Sequence, residues 1–164
     1  MTMIEIIKAD LNRPDHVAAL LELMEAYARD PMGGGQGLSN WVKQNLPQEL
    51  AKRPFAHVIL AFVEGNAAGL AICFEGFSTF ACQPLLNIHD LVVATPYRRQ
   101  GLSQRLLQKA EEIALELGCC KLTLEVLENN HVAQAAYQAF GFSGYQLNPE
   151  MGNALFWQKK LEKG

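Results

Sequence analysis

Apolar positions recur three and four residues apart in several places along the chain. Val17, Leu20, Leu21, Met24 and Tyr27 mark one such face and predict a helix over residues 15–28. Pro14 sits at its start, where a missing N–H costs nothing. Leu106, Leu107, Ala110, Ile113, Ala114 and Leu117 mark a second face over residues 103–117, and Gly118 supplies its stop. A further helix is expected over residues 131–140, ended by Gly141, and a short one over residues 46–52 with Pro47 at its start. Shorter apolar or alternating runs at residues 3–9, 57–63, 67–74, 85–93, 121–127 and 153–159 read as strands. Glu64-Gly65-Asn66, between two of these runs, is a hairpin signal.

That order, β-α-α-β-β-β-α-β-α-β, predicts a single α/β domain over residues 1–164, with a mixed sheet covered by helices on both faces. With 49% apolar and 19% charged residues, the composition fits a soluble globular fold rather than a disordered chain. A net charge of −3 argues against nucleic-acid or anionic-membrane partners. Cys73, Cys82, Cys119 and Cys120 form no C-x-x-C pair, so neither a metal site nor a redox motif is expected, and Cys73 reads as core packing. The first ten residues lack the apolar core of a signal peptide, and no run reaches the roughly 20 apolar residues of a membrane span. A cytoplasmic protein is the default expectation.

Two stretches carry candidate chemistry. In Tyr97-Arg98-Arg99-Gln100-Gly101-Leu102-Ser103, a predicted buried strand gives way to a predicted helix. The first-turn N–H groups of a helix have no internal partners, and the helix dipole adds positive charge there, so the junction suits an anion. Gly101 keeps the backbone accessible, and the two arginines offer charge-assisted hydrogen bonds to phosphate. Alone, the stretch fits a solvated basic turn equally well. The second stretch spaces Asn130, Ala133, Tyr137, Gly141 and Phe142 as N-x-x-A-x-x-x-Y-x-x-x-G-F, which places Ala133 and Tyr137 on one helical face. The glycine-rich residues 30–39 follow a helix and lack the Gly-Lys-Ser/Thr of a Walker loop, so they read as a mobile or substrate-facing loop.

Together these stretches resemble the GNAT superfamily of acyl-CoA-dependent N-acetyltransferases. Arg98 to Ser103 match its Q/R-x-x-G-x-G/A signature except at Ser103, where a hydroxyl can cap a helix or donate to phosphate. The pattern around Ile88 to Gly101 is most similar to the diamine and polyamine acetyltransferase branch. The resemblance implies a mostly antiparallel central sheet flanked by helices, acetyl-CoA as co-substrate without a metal, and a homodimer. It implies direct acetyl transfer to a primary amine, probed first among small molecules; peptide and aminoglycoside acceptors, and a non-catalytic acyl-CoA-binding module, are the alternatives. The amides of Arg99, Gln100, Gly101, Leu102 and Ser103, beside Arg98, would hold the pyrophosphate. The strand segment Leu91, Val92 and Val93 would pair with the pantetheine arm. Asn130 would contact the cofactor, and Tyr137 would sit beside its sulfur as general acid. The branch's acidic pair is replaced by His89-Asp90, of which His89 has the better intrinsic pKa for a base near neutrality. In an ideal strand these two side chains point to opposite faces; a bulge would change that phase.

Overall fold

The computed structural model describes residues 1–163. A five-stranded sheet runs in sequence order, β1 (Ile4–Lys8), β2 (Ala56–Val63), β3 (Asn66–Ser78), β4 (Gln83–Val93) and β5 (Leu122–Leu124). The first four strands pair antiparallel, and β5 joins β4 in parallel. Helices α1 (Pro14–Arg29) and α2 (Asn40–Ala51) cover one face, whereas α3 (Leu102–Glu116) and α4 (His131–Phe140) lie on the other.

Strand alternation builds both halves of the core. On β2, Val58 and Leu60 pack with Leu70, Ile72 and the α1 residues Leu20 and Leu23. Ile59 and Ala61 face the other way, against Ala71, Cys73, Leu86 and the α3 residues Leu106, Leu107 and Ala110. Glu64 and Gly65 turn the β2–β3 hairpin at φ 49° and 77°, so both central residues take the left-handed conformation that short hairpin loops favour. Gly69 lets α3 approach the sheet: a Cβ there meets Leu106 Cδ1 at 3.0 Å and the Val92 carbonyl at 3.2 Å.

Three elements differ from the sequence reading. Helix α2 begins at Asn40 rather than near Pro47, because the Ser39 hydroxyl accepts from Val42 N–H at 3.3 Å and caps it early. Pro47 is therefore buried inside the helix. The fifth strand has three residues rather than seven. The sixth expected strand does not form: residues 143–163 are exposed throughout and contain only the 3-10 turn Pro149–Met151. The glycine-rich segment is tethered rather than loose. Glu25 accepts from Leu38 N–H at 2.8 Å and pairs with Arg29 and Lys43, while Asp30 caps the 3-10 turn Pro31–Gly33. Among the described residues, no helix is long and apolar enough to cross a membrane.

Candidate active site

The register between β3 and β4 breaks at one place. Ile72 faces Asp90 and Cys73 faces Ile88, so His89 is an extra residue without a partner. Such a bulge changes the phase of alternation and brings neighbouring side chains to one side. Asp90 lies across from Ile72, and the His89 ring sits 5.3 Å from Phe74, both on the α1–α2 side. Both side chains of the pair are thus presented to the same face.

Asp90 is half-buried and His89 is exposed. Burial raises the Asp90 carboxyl above its ordinary value, with the neighbouring His89 opposing the shift. The field of Asp90 reaches Tyr27 on α1, whose phenol is raised by burial first and by Asp90 second. Tyr137 on α4 is raised by burial and then by Tyr27, so its hydroxyl keeps its proton at neutral pH. Tyr27 packs on the α1–α2 side of the sheet and Tyr137 against the α3 side. Tyr27 entered the sequence reading only as an apolar helix position; nothing in a single sequence places α1 against the bulge.

The geometry of α4 explains the second motif. Asn130 Oδ1 caps the helix by accepting from Ala133 N–H at 3.2 Å, leaving its amide nitrogen without a described partner. At the other end Gly141 adopts φ 113°, Phe142 N–H bonds to the Tyr137 carbonyl at 3.0 Å, and Gly141 N–H bonds to the Gln138 carbonyl at 3.1 Å. That is a Schellman ending, and its usual apolar contact is here the edge-on packing of Phe142 on Tyr137 at 6.0 Å. The Gly-Phe pair thus fixes the Tyr137 ring. Gln104 ties α3 to α4 by donating to the Ala136 carbonyl at 2.9 Å.

The loop before α3 also has a definite form. Arg99 and Gly101 take left-handed φ values of 62° and 76°, and Gly101 stands at the N-cap. The amides from Arg99 to Gln104 donate to no described protein acceptor, and the first turn of α3 holds no acidic residue. A concave run of bare N–H groups at a helix start is an anion cradle. Ser103 lies inside the helix rather than at its cap, a correction to the capping role expected of its hydroxyl. The Leu102 side chain is buried against Val63 and Ala68, and Val92 is buried toward α1, so these two offer the site only backbone. Arg98 turns back, with Nε 3.1 Å from the Val93 carbonyl and its guanidinium 3.5 Å from Asp30, whereas Arg99 has no described ion pair. Asp30 is a link that the sequence reading missed.

Pairing of β4 with β5 ends at Ile88 and Leu124, while β4 continues to Val93. The outer edge of Leu91 to Val93 is left open, and Leu91, Val93 and Tyr137 each pack against the α3-side core. The chain thus offers an open backbone edge, a run of bare amides and a half-buried phenol. This arrangement fits a long ligand that begins in an anionic group and ends in a reactive one, as acetyl-CoA does. Beside the bulge, Leu46, Leu50, Phe55 and Phe74 line an apolar slot of about 290 Å³ with Glu49 and Arg53 at its rim. A larger depression of about 560 Å³ lies at the opposite sheet edge among Glu5, Arg13 and His16, away from this chemistry. Among the described residues, no group of three His, Cys, Asp or Glu side chains is placed to hold a metal.

Comparisons with known proteins bear on the fold and the family. A Bacillus subtilis (strain 168) protein, provisionally named a [ribosomal protein bS18]-alanine N-acetyltransferase, is 30% identical over 103 residues, which span 63% of this chain and 64% of that one. The thialysine N-epsilon-acetyltransferase of Caenorhabditis elegans is 26% identical over 129 residues, 79% of this chain and 78% of its own. The chain thus matches just under two thirds of the first relative and more of the second. The aminoglycoside N-acetyltransferase AAC(6')-Iy in complex with CoA superposes with a TM-score of 0.76 at 16% identity, covering 98% of this chain and 97% of that one. At that identity the likeness establishes the fold. Residues 18–142 match the family model described as the acetyltransferase (GNAT) family, and the chain belongs to that family.

Proposed function

We propose that this protein transfers the acetyl group of acetyl-CoA directly to a primary amine of a small molecule. The observation that carries the reading is the bulge at His89, which turns His89 and the half-buried Asp90 to the same face of the sheet, on the strand that leads into the bare amides before α3. Acetyl-CoA supplies a thioester acyl group; the chain's own residues supply position, charge and protons.

An alkyl amine arrives as an ammonium with a pKa near that of lysine, about 10.4, and must lose a proton before attack. Asp90 is the base of this reading in place of His89, because burial gives it the raised pKa that an ordinary aspartate lacks. Its carboxylate also attracts the cation. His89, the exposed member of the pair, relays that proton to water. Negative charge developing on the acyl oxygen is met by a backbone amide of the open β4 edge near Leu91. The Tyr137 hydroxyl, still protonated, donates toward the departing sulfur. Cys73, the thiol that feels the Asp90 charge, is completely buried and pushed up to about 12, which disfavours it as an acyl carrier.

The pyrophosphate is held by the amides of Arg99 to Ser103 with Arg99, and Asn130 contributes its free amide nitrogen. The apolar slot beside Phe74 favours an acceptor with an apolar body behind its amine. A cytoplasmic homodimer completes the reading; four unpaired cysteines suit a reducing compartment. The test is a panel of small primary amines, aminoglycosides and peptides incubated with acetyl-CoA, with products read by mass spectrometry. Acetylated small amines are expected; acetylation confined to peptides, or to nothing, overturns the reading.

A further inference from the structure

The apolar slot beside the bulge has a make-up that selects among amines. It takes Leu46 and Leu50 from α2, Phe74 from β3 and Phe55 from the turn between α2 and β2. Backbone bonds fix that turn: the Phe55 carbonyl accepts from Glu75 N–H at 2.9 Å, and the Arg53 carbonyl accepts from Ala56 N–H at 3.0 Å. The slot is therefore pre-organised, which lowers the cost of filling it. Phe55 is still 44% exposed, so its side chain has surface left for a ligand. A row of rings leads from the slot to the bulge. Phe55 and Phe74 lie 6.2 Å apart at 56°, and Phe74 and His89 lie 5.3 Å apart at 59°. Aromatic rings favour such tilted contacts at centroid separations of about 4.5–7 Å, so a further ring finds partners here that an alkyl chain does not.

The charges around the slot favour one cation and not two. Glu49 at the rim has both carboxylate oxygens engaged, Oε1 by Lys52 Nζ at 3.0 Å and Oε2 by Arg53 at 3.0 Å. Glu75 follows Phe74 on β3 and so lies on the opposite face, where its field reaches His57 and Cys119. A second ammonium in the slot would sit unpaired against apolar side chains, which is costly. Asp90, next to the ring that touches Phe74, forms no ion pair among the described residues.

We propose that the acceptor is a monoamine bearing one aromatic ring on a short alkyl link, with the ring seated between α2 and β3 and the ammonium beside Asp90. This assignment rests on the amine acetylation proposed above and narrows it to one substrate class. A two-carbon link carries a nitrogen about 5 Å from the centre of its ring, which matches the 5.3 Å step from Phe74 to His89. At about 290 Å³ the slot falls below the roughly 300–1,000 Å³ of drug-sized sites, room for one ring and not for the several of an aminoglycoside.

Phenethylamine, propylamine and linear diaminobutane are compared as acceptors, with kcat/KM read from CoA release and the products identified by mass spectrometry. Phenethylamine should exceed each of the others at least roughly tenfold, the lower bound for a single methylene in an apolar pocket. Phe55→Glu puts a carboxylate in the slot and should lower the ratio of phenethylamine to diaminobutane by at least roughly tenfold. Being a ratio, it does not depend on how much of the variant is folded. A smaller preference over either amine in the unmodified protein overturns the aromatic acceptor and leaves acetyl transfer to small amines standing. An unchanged ratio in Phe55→Glu overturns the slot as the seat of the ring. Acetylation of none of the three overturns both.

Discussion

Replacing Gly101 with valine separates two roles of the loop that the structure holds at one position. Gly101 opens α3 at φ 76°, and a Cβ built there meets nothing within 4 Å. The cost to the free protein is therefore backbone strain alone, about 1–3 kcal/mol for a non-glycine residue in that region. For a domain of this size each kcal/mol lowers Tm by about 2–4 °C, so the variant should melt about 2–12 °C lower. If the turn relaxes to relieve the strain, the amides of Arg99 to Gln104 no longer converge. Losing one hydrogen bond to a charged group costs about 1.5–3 kcal/mol, or roughly a ten- to 150-fold weaker Kd for CoA. Gly118 is the control, since it has φ 73° and equally open surroundings at the far end of the same helix. Gly118→Val should lose similar thermal stability and bind CoA normally. Calorimetry with CoA reads both. Wild-type affinity in Gly101→Val, alongside the expected loss of Tm, refutes the cradle.

Tyr137→Phe should lower kcat by about 10²–10⁴ and leave CoA affinity unchanged, because the phenyl ring keeps its packing on Phe142 while losing the proton; undiminished turnover removes Tyr137 from the acid role. A base works only when deprotonated, so kcat/KM should rise with pH through the Asp90 titration, at a pH above the ordinary carboxylate value. Asp90→Asn should abolish that limb and His89→Ala should keep it; the opposite pattern returns the role of base to His89. Keeping an ionised Asp90 buried costs stability at every pH above its folded pKa, and this cost vanishes below the unfolded value, near 3.9. Asp90→Asn should therefore melt no lower than wild type at neutral pH, and lower melting there contradicts the burial assigned to it. His57 is 5% exposed, neither ring nitrogen has a partner, and burial lowers its pKa below the ordinary 6.5. On acidification the unfolded chain takes up that proton first, so stability falls as pH drops through about 6.5 toward the folded value. His57→Leu should flatten this part of the Tm–pH curve; an unchanged slope assigns it to other groups.

Legibility in the sequence followed the range of the interaction involved. The β2–β3 turn, α3 and α4 depend on local spacing and on Glu64-Gly65, Gly118 and Gly141, and each lies where those residues put it within a residue or two, whereas β3 runs on to Ser78, four residues past its expected end. The Asn130-to-Phe142 motif was also readable, because both of its ends are caps made by neighbouring residues. Pro47 misled because a proline is judged by its own missing donor, whereas Ser39 eight residues earlier had already nucleated α2. The bulge at His89 depends on the register of a facing strand, so the composition of β4 alone gives no sign of it. The same holds for Tyr27 and Asp30, which reach Asp90 and Arg98 only through packing of α1 on the sheet. The run at residues 153–159 carries a strand pattern but forms no strand and stays exposed, since pattern records what a segment can bury and not whether it does.

A single-turnover experiment bears most directly on direct transfer from a groove-bound donor. Enzyme in excess is mixed with acetyl-labelled acetyl-CoA, with and without an accepted small amine, and the label is followed on protein and amine. The label should stay on CoA until amine is added and then appear only on the amine, with Tyr137→Phe slowing that step. Label on the protein before amine is added, or none on any amine while CoA binds tightly, contradicts the account.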